Sequence, residues 1–154
     1  MINLIFKHLK FKRMGKRSQL ILTITDFKLL FKQYFKKGLS VFNRRKLFRK
    51  LREARIVRKD SLPLNIARQG SKVLVRNITK NQTYRVHIVP ENSHPVSLNK
   101  ILVTDPLSLA LLGYADGQRT EWEMLDGVQQ FEVISVSQQD EDAESAEESL
   151  VANG

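Results

Sequence analysis

The 154-residue chain contains no cysteine. That excludes disulfides, thiolate metal ligands and a thiol nucleophile. Histidine is scarce: His8, His87 and His94 are scattered, which leaves little for a metal site, and none is expected. No apolar run approaches the roughly 20 residues that a membrane-spanning helix needs, and mean hydropathy is -0.32. Acidic side chains are nearly missing from the first part. Residues 1–60 hold 19 Lys/Arg against Asp26, Glu53 and Asp60, a net of +16. Residues 61–154 hold 7 against 13, a net of -6, which leaves +10 for the whole chain. An asymmetry of this size suits a polyanion, an acidic protein groove or an anionic surface as partner for the first part.

Catalytic patterns are also missing. There is no G-x-S-x-G, Walker A, G-x-G-x-x-G or H-E-x-x-H stretch. Glu121 and Glu123 sit two apart on a predicted strand and so share one face, with Trp122 on the other. A solvated strand face explains the pair better than a glycosidase-like site. The chain is therefore read as neither an enzyme nor a cofactor protein.

What is present divides into four parts: residues 1–18, 19–60, 61–137 and 138–154. The first is a basic leader, too short and too charged to span a bilayer and without a cleavage site, so a cytoplasmic protein is expected. It reads as ill-ordered, with an interfacial helix, or an extension before a start at Met14, as the alternatives. Gln19 to Ile24 is β-branched and apolar and predicts a strand. Thr25 or Asp26 then offers a helix N-cap. Phe27, Leu30, Phe31 and Tyr34 follow at helical spacing. Lys28, Lys32 and Lys36 make a second stripe whose mutual repulsion calls for solvent or an anion. Gly38 suits a left-handed residue that closes the helix. A second helix is expected from about Asn43, with Leu47, Phe48, Leu51 and Ala54 as its apolar face. The two would form an antiparallel hairpin with their Phe-rich stripes facing each other, each helix about 12 residues or roughly 18 Å long.

Charge density falls after the linker, residues 58–65. Residues 72–76 and 83–89 alternate and predict strands around a turn at 77–82, with His87 pointing outward beside Arg85. Residues 101–103 read as a further strand. Asp105-Pro106 opens a short apolar helix that Gly113 ends. Residues 120–124 and 130–136 predict a β-hairpin about Asp126-Gly127. Sheet plus one short helix predicts a small α+β domain. The last part, with six acids and few apolar residues, reads as a disordered tail.

Ile101 to Gly113, with Asp105-Pro106 and Ala110-Leu111-Leu112-Gly113, resembles the carboxyl-terminal domain of the Gre (GreA/GreB) transcript-cleavage factors. Gly70-Ser71-Lys72-Val73, Thr83 to Val89, Glu121-Trp122-Glu123 and Gly127 to Val136 fit the same pattern in the same order. The resemblance spans about residues 50–136. It implies an FKBP-like antiparallel sheet domain with one short helix, preceded by the hairpin. It also implies RNA polymerase, near its secondary channel, as partner. By position, Leu102, Thr104, Asp105, Pro106 and Ser108 fall on the family's docking segment, where Asp105 replaces the Ser of a Ser-Pro pair. In cleavage factors, acidic residues at the hairpin tip help to hold magnesium. Here residues 36–46 contain no Asp or Glu, and cations repel magnesium. The short hairpin is similar to the Rnk-type branch. The resemblance thus implies a non-cleaving polymerase-binding regulator of transcription elongation. Lys36, Lys37, Arg44, Arg45, Lys46 and Arg49 would meet acidic polymerase surface or nucleic-acid backbone. The alternative is a basic protein that binds DNA or RNA without sequence preference.

Overall fold

The computed structural model describes residues 20–94 and 99–138. The expected leader and all but the first residue of the acidic tail lie outside the described residues. The chain begins with β1 (Ile21–Thr23), two helices α1 (Ile24–Tyr34) and α2 (Val41–Glu53), and β2 (Arg55–Val57). The helices form the expected antiparallel hairpin, but β1 and β2 pair in parallel at its base. β2 was not anticipated. It exists because the hairpin brings the chain back beside β1, where the Arg55 N–H reaches Leu20 O at 2.8 Å.

Helix α1 starts earlier than expected. Thr23, not Thr25 or Asp26, is the N-cap, and its Oγ1 accepts the Asp26 N–H at 3.1 Å. Ser40 caps α2 in the same way through the Asn43 N–H. Between the helices Gly38 adopts φ +92, the left-handed geometry inferred for it.

The remaining elements are β3 (Ser71–Asn77), β4 (Gln82–Val89), β5 (Lys100–Leu102), α3 (Pro106–Leu111), β6 (Arg119–Met124) and β7 (Gly127–Gln138). Five strands form one sheet in the order β5-β4-β3-β7-β6. It is antiparallel except for β4 and β5, which run parallel. Of the stretch expected to be a linker, residues 58–65, only Leu62 is buried, and the chain joins the sheet unit from Ile66 on. Ile66 and Ala67 are buried, and Ala67 exchanges backbone hydrogen bonds with Tyr114 O (2.9 Å) and the Gly113 N–H (2.9 Å). Gly113 has φ +92, and a Cβ there would meet Leu22 Cδ2 at 3.0 Å. A side chain would be both strained and crowded at this join of hairpin base and sheet.

One core runs through both parts. Leu22, Leu30 and Leu47 from the hairpin pack with Val73, Val75, Ile88, Leu111, Leu112 and Phe131. His87 projects to the same outer face as Arg85, as expected, but it is buried there, because the β4 end that carries it lies between β3 and β5.

Lys50 fastens α2 to the sheet unit. Its Nζ donates to Leu109 O (2.8 Å), Ala110 O (3.0 Å) and Leu112 O (2.8 Å) and lies 4.9 Å from the Tyr114 ring centre. These are the unpaired carbonyls at the negative end of α3, which favour a cation. Burial lowers the Lys50 pKa to about 7, the Lys46 charge adds to the lowering, and Asp26 opposes it. Asp26 is itself buried at the start of α1. Its Oδ2 accepts the Gln69 N–H at 3.2 Å, and burial pushes its pKa up.

Between pH 7 and the ordinary lysine value near 10.5, Lys50 holds fewer protons in the folded chain than in the unfolded one. Its contribution to stability therefore rises with pH across that window. Lys50→Met keeps the bulk but strands three carbonyls, and is expected to cost about 3 kcal/mol at pH 7. Urea unfolding of both proteins at pH 7 and pH 10 checks this: the gap should widen at the higher pH, and a flat or shrinking gap contradicts it.

Candidate functional site

The hairpin has a bound edge and an outer edge. Along the bound edge, Asn43, Leu47, Lys50 and Ala54 are buried at spacings of four, three and four. Asn43 makes a two-way amide contact with β6: its Nδ2 donates to Glu123 O (2.9 Å) and its Oδ1 accepts the Glu123 N–H (2.7 Å). Helix α2 thus lies against the sheet unit from its first turn to its last. The apolar periodicity missed Asn43 and Lys50 because it counts only apolar residues. The signal was their place one turn either side of Leu47.

The six basic residues read as a contact set do not act alike. Lys36, Lys37, Arg45 and Arg49 are exposed. Arg44 is half-buried and holds the turn between the helices. It donates to Tyr34 O and to Lys36 O (3.2 Å), and its guanidinium carbon lies 5.5 Å from the Tyr34 ring centre. Lys46 is also half-buried. Burial lowers its pKa, while the charges of Glu121 and Glu53 raise it.

The stripes face each other only in part: Leu30 and Leu47 are buried as expected and Tyr34 of α1 lies 6.2 Å from Phe48 of α2, ring centre to ring centre, but Phe31 and Phe35 turn outward. Phe31 is 47% exposed, Phe35 65% and Phe48 51%. The inward positions of α1 are Asp26, Leu30 and Gln33. Phe27, Phe31 and Phe35 instead form a ladder along α1, with ring centres 6.2 and 5.2 Å apart. The guanidinium of Arg52 lies 5.7 Å from the Phe48 ring centre. The outer edge is therefore an aromatic ridge flanked by cations, the exposed Lys28 and Lys32 among them.

The second candidate surface is the turn from β5 into α3. Asp105 occupies the N-cap position of α3, but its side chain does not cap. Its Oδ2 turns back to accept the Leu102 N–H at 2.8 Å. Ser108 is fully buried, and its Oγ donates to Leu102 O at 2.6 Å. Leu102, Thr104 and Asp105 are partly exposed and Pro106 is exposed. Of the five residues read as a docking segment, Ser108 holds the turn from within and the other four present it.

Among the described residues no group of three or more His, Cys, Asp or Glu side chains is placed to hold a metal ion. No described helix is long and apolar enough to cross a membrane.

Residues 63–138 match the family model described as transcription elongation factor, GreA/GreB, C-term. That stretch is a Gre-type C-terminal domain. A curated relative, the transcription elongation factor GreA of Flavobacterium psychrophilum, is 29% identical over 84 residues, 54% of this chain and 53% of the relative. The chain thus spans about half the length of the curated relative it matches. A solved GreA/GreB elongation factor from Nitrosomonas europaea aligns with a TM-score of 0.54 and 24% identity, over 79% of this chain and 99% of that one. That likeness gives the fold: a helical pair followed by the curled, mostly antiparallel Gre sheet domain.

The two edges of the hairpin should respond differently to truncation. Leu47→Ala opens a cavity in the core and is expected to cost about 3 kcal/mol. Phe35→Ala removes an exposed ring and should cost less than about 1 kcal/mol. Chemical denaturation of both variants measures the difference, and equal losses would mean that the ridge is buried in solution.

Proposed function

We propose that this chain is a Gre-family, RNA polymerase-binding regulator of transcription elongation that does not stimulate transcript cleavage. The observation that carries the proposal is the pairing of a Gre-type C-terminal domain with a hairpin that bears no carboxylate between Lys28 and Glu53. Magnesium needs oxygen ligands, and the exposed Lys36 and Lys37 of the tip offer only ammonium groups. The helices, 11 and 13 residues long, suit the short Rnk-type branch.

In this reading the Leu102–Pro106 turn docks on the enzyme near its secondary channel. The ridge of Phe31, Phe35 and Phe48 with its cations then meets a partly apolar, acid-rimmed polymerase surface. The aromatics favour a protein partner over bare phosphate backbone, which would be served by the cations alone. The alternative, a nucleic-acid-binding protein, draws on the same cations with base stacking on the exposed rings.

Co-purification with core RNA polymerase tests the proposal. Wild type should bind. Pro106→Glu should weaken binding about tenfold without unfolding the protein, since an acid suits the first turn of a helix. Neutralising Lys36, Lys37, Arg45 and Arg49 together should weaken binding and flatten its salt dependence. Backtracked complexes should keep their 3′ ends. Cleavage of those ends would overturn the non-cleaving reading. Binding to plain RNA with no affinity for polymerase would favour the alternative.

A further inference from the structure

The sheet has a second face, which the hairpin and α3 do not cover. Strand register places its residues. Lys72 of β3 pairs with His87 of β4 and with Ser137 of β7, and His87 pairs with Lys100 of β5. Directly opposed residues project to the same face. Ser137, Lys72, His87 and Lys100 therefore form one row across four strands, about 14 Å long at the usual strand spacing. Leu74, paired with Arg85 and with Ser135, makes a shorter row beside it. The other face of β3 and β4 carries Val73, Val75, Val86 and Ile88 into the core.

These two rows line a cavity of about 350 Å³. Residues 61–138 hold seven Lys/Arg and seven Asp/Glu, so this unit has no net charge. Three of those seven cations, Lys72, Arg85 and Lys100, line this one cavity, and no carboxylate lines it. Gathering cations on adjacent strands is unfavourable by itself, because like charges across a sheet repel. An anion in the cavity reverses the sign of that interaction. The donor set is specific in kind: two ammonium groups, one guanidinium fork and two hydroxyls suit the oxygens of phosphate. The volume lies at the small end of the range for small-molecule sites. Leu74 is the one apolar side chain on its two rows.

We propose that this cavity binds a small ligand carrying two or more linked phosphates, held by Lys72, Arg85 and Lys100. The site lies on the sheet face, uses none of the hairpin cations, and does not depend on the polymerase reading above.

Calorimetric titration of the full chain with inorganic pyrophosphate at physiological salt is the test. Saturable one-site binding is expected. The double variant Lys72→Ala/Lys100→Ala, and separately Arg85→Ala, should weaken it at least about tenfold. Lys72→Arg should retain it, and Lys36→Ala/Lys37→Ala should leave it within about twofold. Lys72 and Arg85 are exposed and Lys100 is half-buried, so thermal melts of these variants should stay close to wild type. No saturation by about 5 mM pyrophosphate, or an equal loss in the hairpin variant, overturns the proposal. So does a single-stranded RNA that needs the three cavity cations when pyrophosphate does not bind.

Discussion

A short helix buried in a small domain ends in carbonyls that water cannot reach. In this chain those of α3 are answered by one ammonium group, Lys50 Nζ, with three acceptors at 2.8–3.0 Å. Removing a cation from water costs several kcal/mol unless every proton on it finds a partner. Here all three do, at the end of a helix where the backbone field is negative, which offsets part of the cost; burial still lowers the Lys50 pKa to about 7. The contact joins parts far apart in sequence, since Lys50 and Leu112 stand 62 residues apart. It requires α2 to lie against the sheet unit. The Asn43 amide on the Glu123 backbone then sets the other end of α2, and the direction of the hairpin follows from these two points.

Much of the sheet domain was legible because its signals are local. Alternation marked β3 and β4, Asp126-Gly127 marked the β6–β7 turn, and Asp105-Pro106 marked the start of α3. The hairpin was legible as two helices and a turn, and Leu30, Leu47 and Ala54 are buried as their spacing implied, but the full inward face was not legible. Apolar periodicity put Phe31 and Phe48 inside. The structure instead buries Asp26, Gln33, Asn43 and Lys50. Asp26, Asn43 and Lys50 are inward because backbone groups of other segments find partners in them, and one sequence does not say which distant backbone groups will need one. His87 lies on the face its alternation with Arg85 implies, but it is not exposed there. Alternation gives two faces to a strand but does not reveal that neighbours on both sides will close over one end of it.

This inversion has a consequence for the charge on the hairpin. A helix with as many cations as α2 would repel itself if all of them lay together. Lys50 is removed to the interior, Arg44 is occupied with the carbonyls of the turn, and Lys46 sits half-buried in the field of Glu121 and Glu53. The exposed cations are spread over the outer edge, with rings between them. A surface of that kind is costly to leave in water and suits a partner that brings both apolar contact and negative charge.

The turn before α3 is held by two of its own side chains. The family's Ser-Pro pair is Asp105-Pro106 here. The physical need at the first position is an oxygen that can accept the Leu102 N–H, and Asp105 Oδ2 does so at 2.8 Å. A serine hydroxyl offers the same acceptor at similar reach. Ser108 closes the turn from the other side by donating to Leu102 O, so residue 102 is held at both of its backbone polar groups and its side chain has no part in the hold. What the aspartate adds is a charge on the presented face of the turn. In the proposed docking, this turn must meet a surface that accepts a carboxylate.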